Sequence, residues 1–246
     1  MEKVIAATKA TKKGTVLMIH GWAQNAKVMT YKSKSLTKRL NQAGYDCIFL
    51  QAPFDLPMTS TVKVDGELVT ITNGERKDAK AWFLYSQEDA CDASPALSGR
   101  FVEYVGLDDA IQVVETELND LTTEDNPVIA MLGFSQGAVF AHIIAALANQ
   151  TTRPFHKINR FILVSGFPAT PGSLPPSLED KNQLLQINKA SLHVIGLNDT
   201  SVPPSMSTKL SDCFVNPKTM HHEKGHLLAQ QSAQCAQIIQ FLDGRT

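Results

Sequence analysis

The sequence VIAMLGFSQGAVFA at residues 128–141 decides the fold of this chain. Its opening run, VIAML, is apolar and too short for a stable helix, which is typical of a strand covered on both faces in a parallel sheet. Gly-Phe-Ser-Gln-Gly at residues 133–137 follows at once, and residues 138–148 are apolar on nearly all sides, which predicts a buried helix. A strand, a glycine-flanked serine and a helix in this order make a nucleophile elbow. Ser135 is therefore a candidate nucleophile.

The two glycines of this stretch are needed for a steric reason. The turn around Ser135 is so tight that side chains at Gly133 and Gly137 would collide with the flanking backbone. The same geometry lifts the serine hydroxyl above the edge of the sheet. It also points the positive end of the helix, which begins near Gln136, at developing negative charge. The alternative is a turn that only packs a helix on a strand, with Ser135 incidental.

The rest of the chain alternates in the same way between strand and helix patterns. Short apolar runs predict strands at residues 15–19, 47–50, 128–132, 161–164 and 192–195, with a less regular one near 213–220, where Pro217 would confine it to an edge or a bulge. Helical spacing of apolar residues predicts helices over residues 27–43, 107–121, 138–148 and 227–242. This alternation predicts one α/β domain over residues 1–246, with a mostly parallel central sheet and helices on both faces.

Two insertions interrupt this alternation, at about residues 53–106 and 166–189. The first contains a predicted hairpin at residues 62–69 that turns at Asp65-Gly66, then a short helix around 79–84 and a loop through Pro95 and Gly99. Long insertions between core elements commonly form lids or pocket walls. We therefore expect both insertions to form pocket walls.

Composition excludes several classes of protein. The chain has 246 residues, with 23 Lys+Arg and 24 Asp+Glu, and this net charge of −1 argues against a nucleic-acid or polybasic membrane-surface binder. Its longest apolar run is about half of the roughly twenty residues that a membrane span needs. The cysteines form no Cys-x-x-Cys pair, which argues against a zinc cluster or a redox motif. Reduced cysteines would place the protein in the cytoplasm or the nucleus.

A serine nucleophile needs a base and an acid, and in this arrangement they follow in the order Ser, Asp, His. Asp199 comes directly after a predicted strand, and His226 lies in Lys-Gly-His ahead of the last predicted helix. These two residues are the candidate acid and base. The alternatives that remain open are His221 or His222 as the base and Asp212 or Asp180 as the acid, or Asp199 as a simple turn cap.

The loop after the first predicted core strand reads His20-Gly21-Trp22. In this arrangement such a loop supplies one backbone N–H of an oxyanion hole, and the residue after the nucleophile supplies the other. The expected donors are therefore the main-chain N–H groups of Trp22 and Gln136. Gly21 leaves room for a substrate carbonyl, and His20 is expected to hold the loop.

Aromatic side chains are concentrated in or beside the predicted loops at the edge of the sheet. We expect four of them to line an apolar substrate pocket: Trp82, Phe83, Phe134 and Phe167. The alternative is that several of these side chains only pack the insertions onto the sheet. No arginine pair suggests a carboxylate or phosphate clamp, so a strongly anionic substrate is disfavoured.

Taken together, these motifs resemble a known family. They occur in the order His-Gly-Trp-Ala-Gln-Asn (20–25), Ala-Trp-Phe (81–83), Gly-Phe-Ser-Gln-Gly-Ala (133–138), Val-Ser-Gly-Phe (164–167), Asp-Thr-Ser-Val-Pro (199–203) and Gly-His (225–226). The pattern resembles the FSH family of serine hydrolases, small α/β-hydrolases related to ovarian cancer-associated protein 2. The resemblance implies an α/β-hydrolase fold and a carboxylic-ester hydrolase that uses Ser135, Asp199 and His226. Lys224 and Ala26 depart from the family pattern, which commonly has glycine at both positions.

The expected reaction is cleavage of carboxylic esters with an apolar acyl chain through an acyl-enzyme intermediate, without a metal or organic cofactor. A thioesterase or a lactonase would use the same residues, and both remain open. A peptidase is less favoured, because the chain has no additional region for gripping a peptide. The alternative from another class is a non-catalytic α/β-hydrolase module that binds its ligand. The expected partner is a small ester or thioester, and the oligomeric state is left open.

Overall fold

A computed structural model of the chain describes residues 12–57, 59–64, 67–72, 78–85, 104–121, 126–149, 154–170, 184–228 and 230–245. Its centre is a six-stranded parallel sheet. The strands are β1 (Gly14–Ile19), β2 (Tyr45–Leu50), β9 (Val128–Phe134), β10 (Arg160–Val164), β11 (Ala190–Gly196) and β12 (Lys218–His222). Their spatial order is β12-β11-β10-β9-β1-β2, so β9 lies inside the sheet. The predicted parallel sheet is confirmed.

Six α-helices of the described residues surround this sheet. They are α1 (Ala26–Lys32), α2 (Lys34–Gln42), α3 (Leu107–Leu121), α4 (Gln136–Ala148), α5 (Pro204–Ser211) and α6 (Ser232–Leu242). One hydrophobic core packs α3, α4 and α5 on one face of the sheet, and a second packs α1, α2 and α6 on the other. Alternate residues of β1 serve the two cores, since Leu17 belongs to the first and Met18 to the second. The predicted helices on both faces are therefore confirmed.

Several predicted helix bounds were wrong for local reasons. The helix predicted over residues 27–43 is two helices, because Ser33 between them has a non-helical backbone and caps the first through its N–H. The helix predicted over 227–242 begins only at Ser232, where Gln231 and Gln234 form a capping box. Helix α5 was not predicted, although Pro204 at its first position is a typical helix start.

The edge strand was placed too early in the sequence. The strand predicted near 213–220 starts at Lys218, directly after Pro217, which has no N–H to give to a sheet. Phe214 instead forms an isolated parallel bridge with Ile187. The only contact of β12 within the sheet is with β11, which agrees with the predicted edge position.

The first insertion leaves the sheet after β2. It contains β3 (Phe54–Asp55), β4 (Thr59–Val64), β5 (Glu67–Thr72), β6 (Lys80–Ala81), β7 (Leu84–Tyr85) and β8 (Tyr104–Val105). The predicted hairpin is confirmed as β4 and β5, which pair Val62 with Val69, while its turn residues 65 and 66 lie outside the described residues. The short helix predicted at 79–84 is wrong, because β6 pairs with β3 and β7 pairs with β8.

Parts of both insertions lie outside the described residues. These parts include the predicted loop through Pro95 and Gly99, and residues 171–183 of the second insertion. Across the residues that the structure does describe, none of the helices has the length and hydropathy required to cross a membrane.

Candidate active site

The turn between β9 and α4 holds Ser135 in a strained conformation, with φ 54° and ψ −121°. The flanking glycines leave no room for side chains: a Cβ on Gly133 would lie 2.2 Å from the Gly137 carbonyl oxygen. A Cβ on Gly137 would lie 2.4 Å from the Ile19 oxygen. The Ser135 N–H donates to the Val164 oxygen of the neighbouring strand at 2.9 Å, which anchors the turn. These contacts agree with the steric reason given for both glycines.

The loop after β1 lies directly against this turn. A Cβ on Gly21 would lie 3.2 Å from the Cβ of Ser135, so only glycine fits without displacing a neighbour. His20 is buried and accepts a hydrogen bond on Nε2 from the Ala52 N–H at 3.2 Å. Its Nδ1 lies 2.9 Å from the Gly21 oxygen, so the proton belongs on Nδ1. Burial lowers the pKa of His20 to about 4, and the ring is a neutral support for the loop.

Asp199 and His226 meet although 27 positions separate them in the chain. Oδ1 of Asp199 accepts hydrogen bonds from the N–H groups of Ser201 at 3.0 Å and Val202 at 2.9 Å. Its Oδ2 lies 2.8 Å from Nδ1 of His226. The carboxylate is buried, whereas the imidazole is partly exposed. An ionised carboxylate can only accept, so Nδ1 of His226 carries the proton and Nε2 is the free acceptor.

The imidazole of His226 lies over the ring of Phe134, with 4.8 Å between the ring centroids. Phe134 immediately precedes Ser135, so the Asp199–His226 pair lies beside the elbow. The Ser135 hydroxyl makes no hydrogen bond to any residue that the structure describes. Hydrogen bonds to a catalytic serine are often long before a substrate binds.

The loops that carry Asp199 and His226 are joined by one side-chain and one backbone hydrogen bond. The Asn198 amide donates to the Glu223 oxygen, and the Leu197 N–H donates to the His222 oxygen at 2.8 Å. His222 is buried, and its Nδ1 accepts from the Lys224 N–H at 3.2 Å. These bonds shape the turn that ends at His226.

The alternative acid and base candidates are placed differently. His222 is used to shape the turn, and burial lowers its pKa. His221 is exposed on the edge strand β12, and Asp212 is exposed at the end of α5. Asp180 lies outside the described residues. Among the described candidates, Asp199 and His226 are the pair that is joined by a hydrogen bond.

The two expected oxyanion donors lie on neighbouring segments. Gln136 is the first residue of α4, and Trp22 lies one residue after Gly21. Neither N–H donates to a backbone oxygen of the residues described in the structure. Unpaired N–H groups at a helix start are suited to a negatively charged oxygen.

The sequence of this chain is similar to those of known hydrolases. A family model described as "Serine hydrolase (FSH1)" matches residues 9–238. The chain belongs to the FSH1 serine hydrolase family. Esterase OVCA2 of Mus musculus is 30% identical over 229 residues, covering 93% of this chain and 95% of that protein. "Family of serine hydrolases 2" of Saccharomyces cerevisiae is 26% identical and covers 94% of this chain and 98% of that protein.

Solved structures place this family member in the α/β-hydrolase fold. The esterase PE8 structure superposes with a TM-score of 0.58 at 18% identity, covering 98% of this chain and 97% of that chain. The Zea mays acyl-protein thioesterase 2 structure gives a TM-score of 0.59 at 17% identity, covering 96% and 95%. At this identity the likeness establishes the fold, and the family match establishes that the protein is a hydrolase.

The four aromatic residues that were expected in the pocket of this serine hydrolase are all buried. Trp82 and Phe83 are fully buried. The ring of Trp82 stacks on that of Phe140, with 4.9 Å between the ring centroids. Phe134 and Phe167 are also buried, and Phe134 contacts His226. Sequence reasoning overlooked Tyr85, whose ring centroid lies 5.4 Å from that of Trp22. Tyr85 stands two positions after Phe83 in the same run of aromatic residues.

Both departures from the family pattern are accommodated by the backbone. Lys224 is exposed and takes part through its N–H, which donates to His222. Ala26 begins α1, and its N–H donates to Gln51 Oε1 at 3.1 Å. Neither departure removes a group from the site.

Proposed function

We propose that this serine hydrolase cleaves carboxylic esters, with Ser135 as the nucleophile, His226 as the general base and Asp199 as the acid that orients the imidazole. The observation that carries the proposal is the 2.8 Å bond between Asp199 Oδ2 and His226 Nδ1, beside the strained Ser135. That bond fixes the tautomer with a free Nε2, which is the atom that must accept the serine proton.

The proposed reaction has two halves. The Ser135 oxygen bonds to the ester carbonyl carbon while Nε2 of His226 takes its proton, and the carbonyl electron pair moves to the oxygen. When the C–O bond to the alcohol breaks, His226 returns the proton to the leaving oxygen and the acyl group stays on Ser135. Water, deprotonated by the same Nε2, then bonds to the acyl carbon. The bond to the Ser135 oxygen breaks as His226 returns the proton to that oxygen, and the carboxylic acid leaves.

The proposed oxyanion donors are the N–H groups of Trp22 and Gln136. The contact between Gly21 and Ser135 supports this assignment, because it brings the Trp22 segment to the elbow. Both donors belong to the backbone and add no titratable group. Removal of one such donor from a serine hydrolase costs about 10²–10³ in kcat.

The proposed substrate is a small ester with an apolar acyl chain. The buried ring of Phe134 beside His226 supports an apolar site, and the relative from Mus musculus is named an esterase. A thioester or a lactone would pass through the same steps, and comparison of their turnover with that of esters decides between them.

The test is hydrolysis of p-nitrophenyl esters from acetate to decanoate, beside matched thioesters and lactones. Wild type should cleave the esters, and Ser135→Ala should lose on the order of 10⁶ in kcat. The matched control is Ser205→Ala, an exposed serine on α5, which should keep wild-type activity. Substantial turnover by Ser135→Ala would refute the assignment of the nucleophile.

A further inference from the structure

Gln136 has a side chain with an unusual position for the start of a helix. It is only 2% exposed, although it is polar and belongs to the first turn of α4. Its Oε1 accepts from the Trp82 N–H at 3.1 Å, and its Nε2 donates to the Phe83 oxygen at 2.8 Å. The amide thus pairs with the backbone of residues 82 and 83, both of which belong to the first insertion.

The bonded backbone lies in a gap between two strand pairs. β6 ends at Ala81 after pairing with β3, and β7 begins at Leu84, where it pairs with β8. Trp82 and Phe83 lie between these pairs. The Gln136 amide offers one acceptor and one donor, as a peptide group of a neighbouring strand would. It therefore pairs with the backbone groups of Trp82 and Phe83 between the two strand pairs. Residues 78–85 are called the brace from here on.

The brace also bonds to the loop after β1. The Trp82 indole Nε1 donates to the His20 oxygen at 2.8 Å. The Lys80 N–H donates to the Gln24 oxygen at 2.8 Å. These contacts lie on either side of Trp22 in the sequence. The brace therefore contacts both segments that carry the proposed oxyanion donors, the 20–25 loop and the start of α4.

We propose that the brace sets the relative position of the Trp22 and Gln136 N–H groups, and that the Gln136 side chain is the positioning residue that fixes it. The inference rests on the proposed function, in which these two N–H groups bind the oxyanion. Two donors on separate segments must be held to a fraction of an ångström, since a shift of about 1 Å can cost 10²-fold in rate. One residue thus contributes its backbone to the hole and its side chain to the brace.

The first variant is Gln136→Met, which keeps side-chain length and removes the hydrogen bonds to the backbone of residues 82 and 83 together with the one to Tyr85. We expect kcat for p-nitrophenyl acetate to fall about 10- to 100-fold, with a much smaller change in KM, because the displaced groups act on the transition state. Amide hydrogen exchange at residues 82 and 83 should become faster in this variant. The control is Gln237→Met, an exposed glutamine of α6, which should match wild type in both measurements.

The second variant is Gln136→Glu, which separates this role from a loss of folding. A carboxylate at this position would repel the Phe83 oxygen, whereas the protonated acid can donate to it and still accept from Trp82. Burial raises the pKa of a glutamate, so the protonated form persists toward neutral pH. The rate of Gln136→Glu relative to wild type should therefore be highest in acidic buffer and fall as pH rises.

Other titratable groups around Gln136 do not produce that pH dependence. Burial raises the pKa of Tyr85 more than its hydrogen bond with Gln136 lowers it, so this phenol stays neutral. Tyr104 beyond it also has a raised pKa because of burial. Burial lowers the pKa of His20 to about 4. Lys80 forms an ion pair with Asp55, with 2.7 Å between Nζ and Oδ1. The ratio to wild type at each pH removes any pH dependence that the two proteins share.

The outcomes separate the inference from the proposed function. A wild-type protein that turns over no ester refutes the proposed function, while hydrogen exchange still reports whether Gln136 holds the brace. An active wild type with an unchanged kcat in Gln136→Met refutes the inference alone. Equal pH profiles for Gln136→Glu and wild type would refute it as well.

Discussion

The nucleophile side of the site, residues 20–25, 78–85 and 133–137, combines tight backbone packing with buried side-chain hydrogen bonds. The acid–base side, residues 196–202 and 222–226, is partly exposed and is joined by hydrogen bonds between its two loops. On the first side, a Cβ on Gly137 would lie 2.5 Å from the His20 oxygen. On the second side, Asn198 bonds to Glu223, and His222 bonds to Lys224. Steric exclusion fixes glycine at residues 133 and 137 on the first side and at residue 196 on the second, where a Cβ would lie 2.7 Å from the Lys224 oxygen. The 222–226 turn itself has more room and is shaped by hydrogen bonds.

The difference shows where a side chain fits. Lys224, where the resemblance leads us to expect glycine, is exposed on the acid–base side. A side chain in place of Gly133 or Gly137 would overlap backbone atoms that cannot move without moving β1 or α4. Variants of the two sides should therefore fail in different ways.

After the loss expected for Ser135→Ala, the largest expected effect is on the acid–base side. In Asp199→Asn the amide would donate to Nδ1 of His226 and force its proton onto Nε2, which then cannot accept from Ser135. We expect kcat to fall about 10⁴-fold with the fold retained. Ester kinetics beside circular dichroism measure both. Asp212→Asn, at the exposed end of α5, should behave as wild type, and a large loss there would point to the wrong acid.

The next effect should appear on the nucleophile side as a loss of stability. Gly137→Ala places a Cβ against two carbonyl oxygens, and overpacking of this kind costs about 3 kcal/mol of unfolding free energy. Gly225→Ala is the matched variant, because its Cβ would meet the Asn198 oxygen at 3.2 Å and little else. Urea unfolding should show a clear loss for the first and a small one for the second. Equal losses would remove the distinction between the two sides.

Acid should weaken the nucleophile side through His20. Its folded pKa is about 4, against an ordinary value of 6.5, so between these pH values the unfolded chain binds more protons. This stability is complete above about pH 6.5 and is lost as pH falls toward 4. From pH 7.5 to pH 5 the contribution of His20 amounts to about 2 kcal/mol.

The measurement is the urea-unfolding free energy at both pH values. His20→Gln keeps an acceptor for the Ala52 N–H without titrating, and its acid loss should be smaller than that of wild type by about 2 kcal/mol. His221→Gln changes an exposed histidine and should lose as much as wild type. An acid loss that His20→Gln leaves unchanged would contradict the buried neutral state.

The smallest expected effect is in the turn that carries His226. His222→Ala removes the acceptor for the Lys224 N–H, worth about 1 kcal/mol, and should lower kcat about fivefold. His222→Asn keeps an oxygen near the Nδ1 position and should recover most of that rate. If alanine and asparagine variants have the same kcat, the hydrogen bond to Lys224 does not position His226.

Sequence predicted the parts of the molecule that strong local patterns determine. The apolar run before Gly133 and the helix after Ser135 are where they were expected, because burial on both faces requires continuous apolar residues. Asp199 was found from its position after a predicted strand and His226 from its position ahead of the last predicted helix, and the structure joins them. Their catalytic roles stay predictions.

The errors came from contacts between distant residues. Residues 79–84 read as a short helix because they are apolar, but β6 pairs with Phe54 of β3 and β7 pairs with Tyr104 of β8. The pocket role expected of Trp82 stays a prediction, and its ring stacks on Phe140 with no exposed surface. The side chain of Gln136 was overlooked because nothing in its local sequence shows which backbone it bonds to.

The central claim is that Ser135 is activated by the Asp199–His226 pair, and covalent labelling tests it most directly. A fluorophosphonate probe reacts with a serine only where a base removes its proton. We expect one adduct in wild type, mapped by peptide mass spectrometry to Ser135, with little adduct in Asp199→Asn or His226→Gln. An unlabelled wild type, or equal labelling of all three proteins, would contradict it.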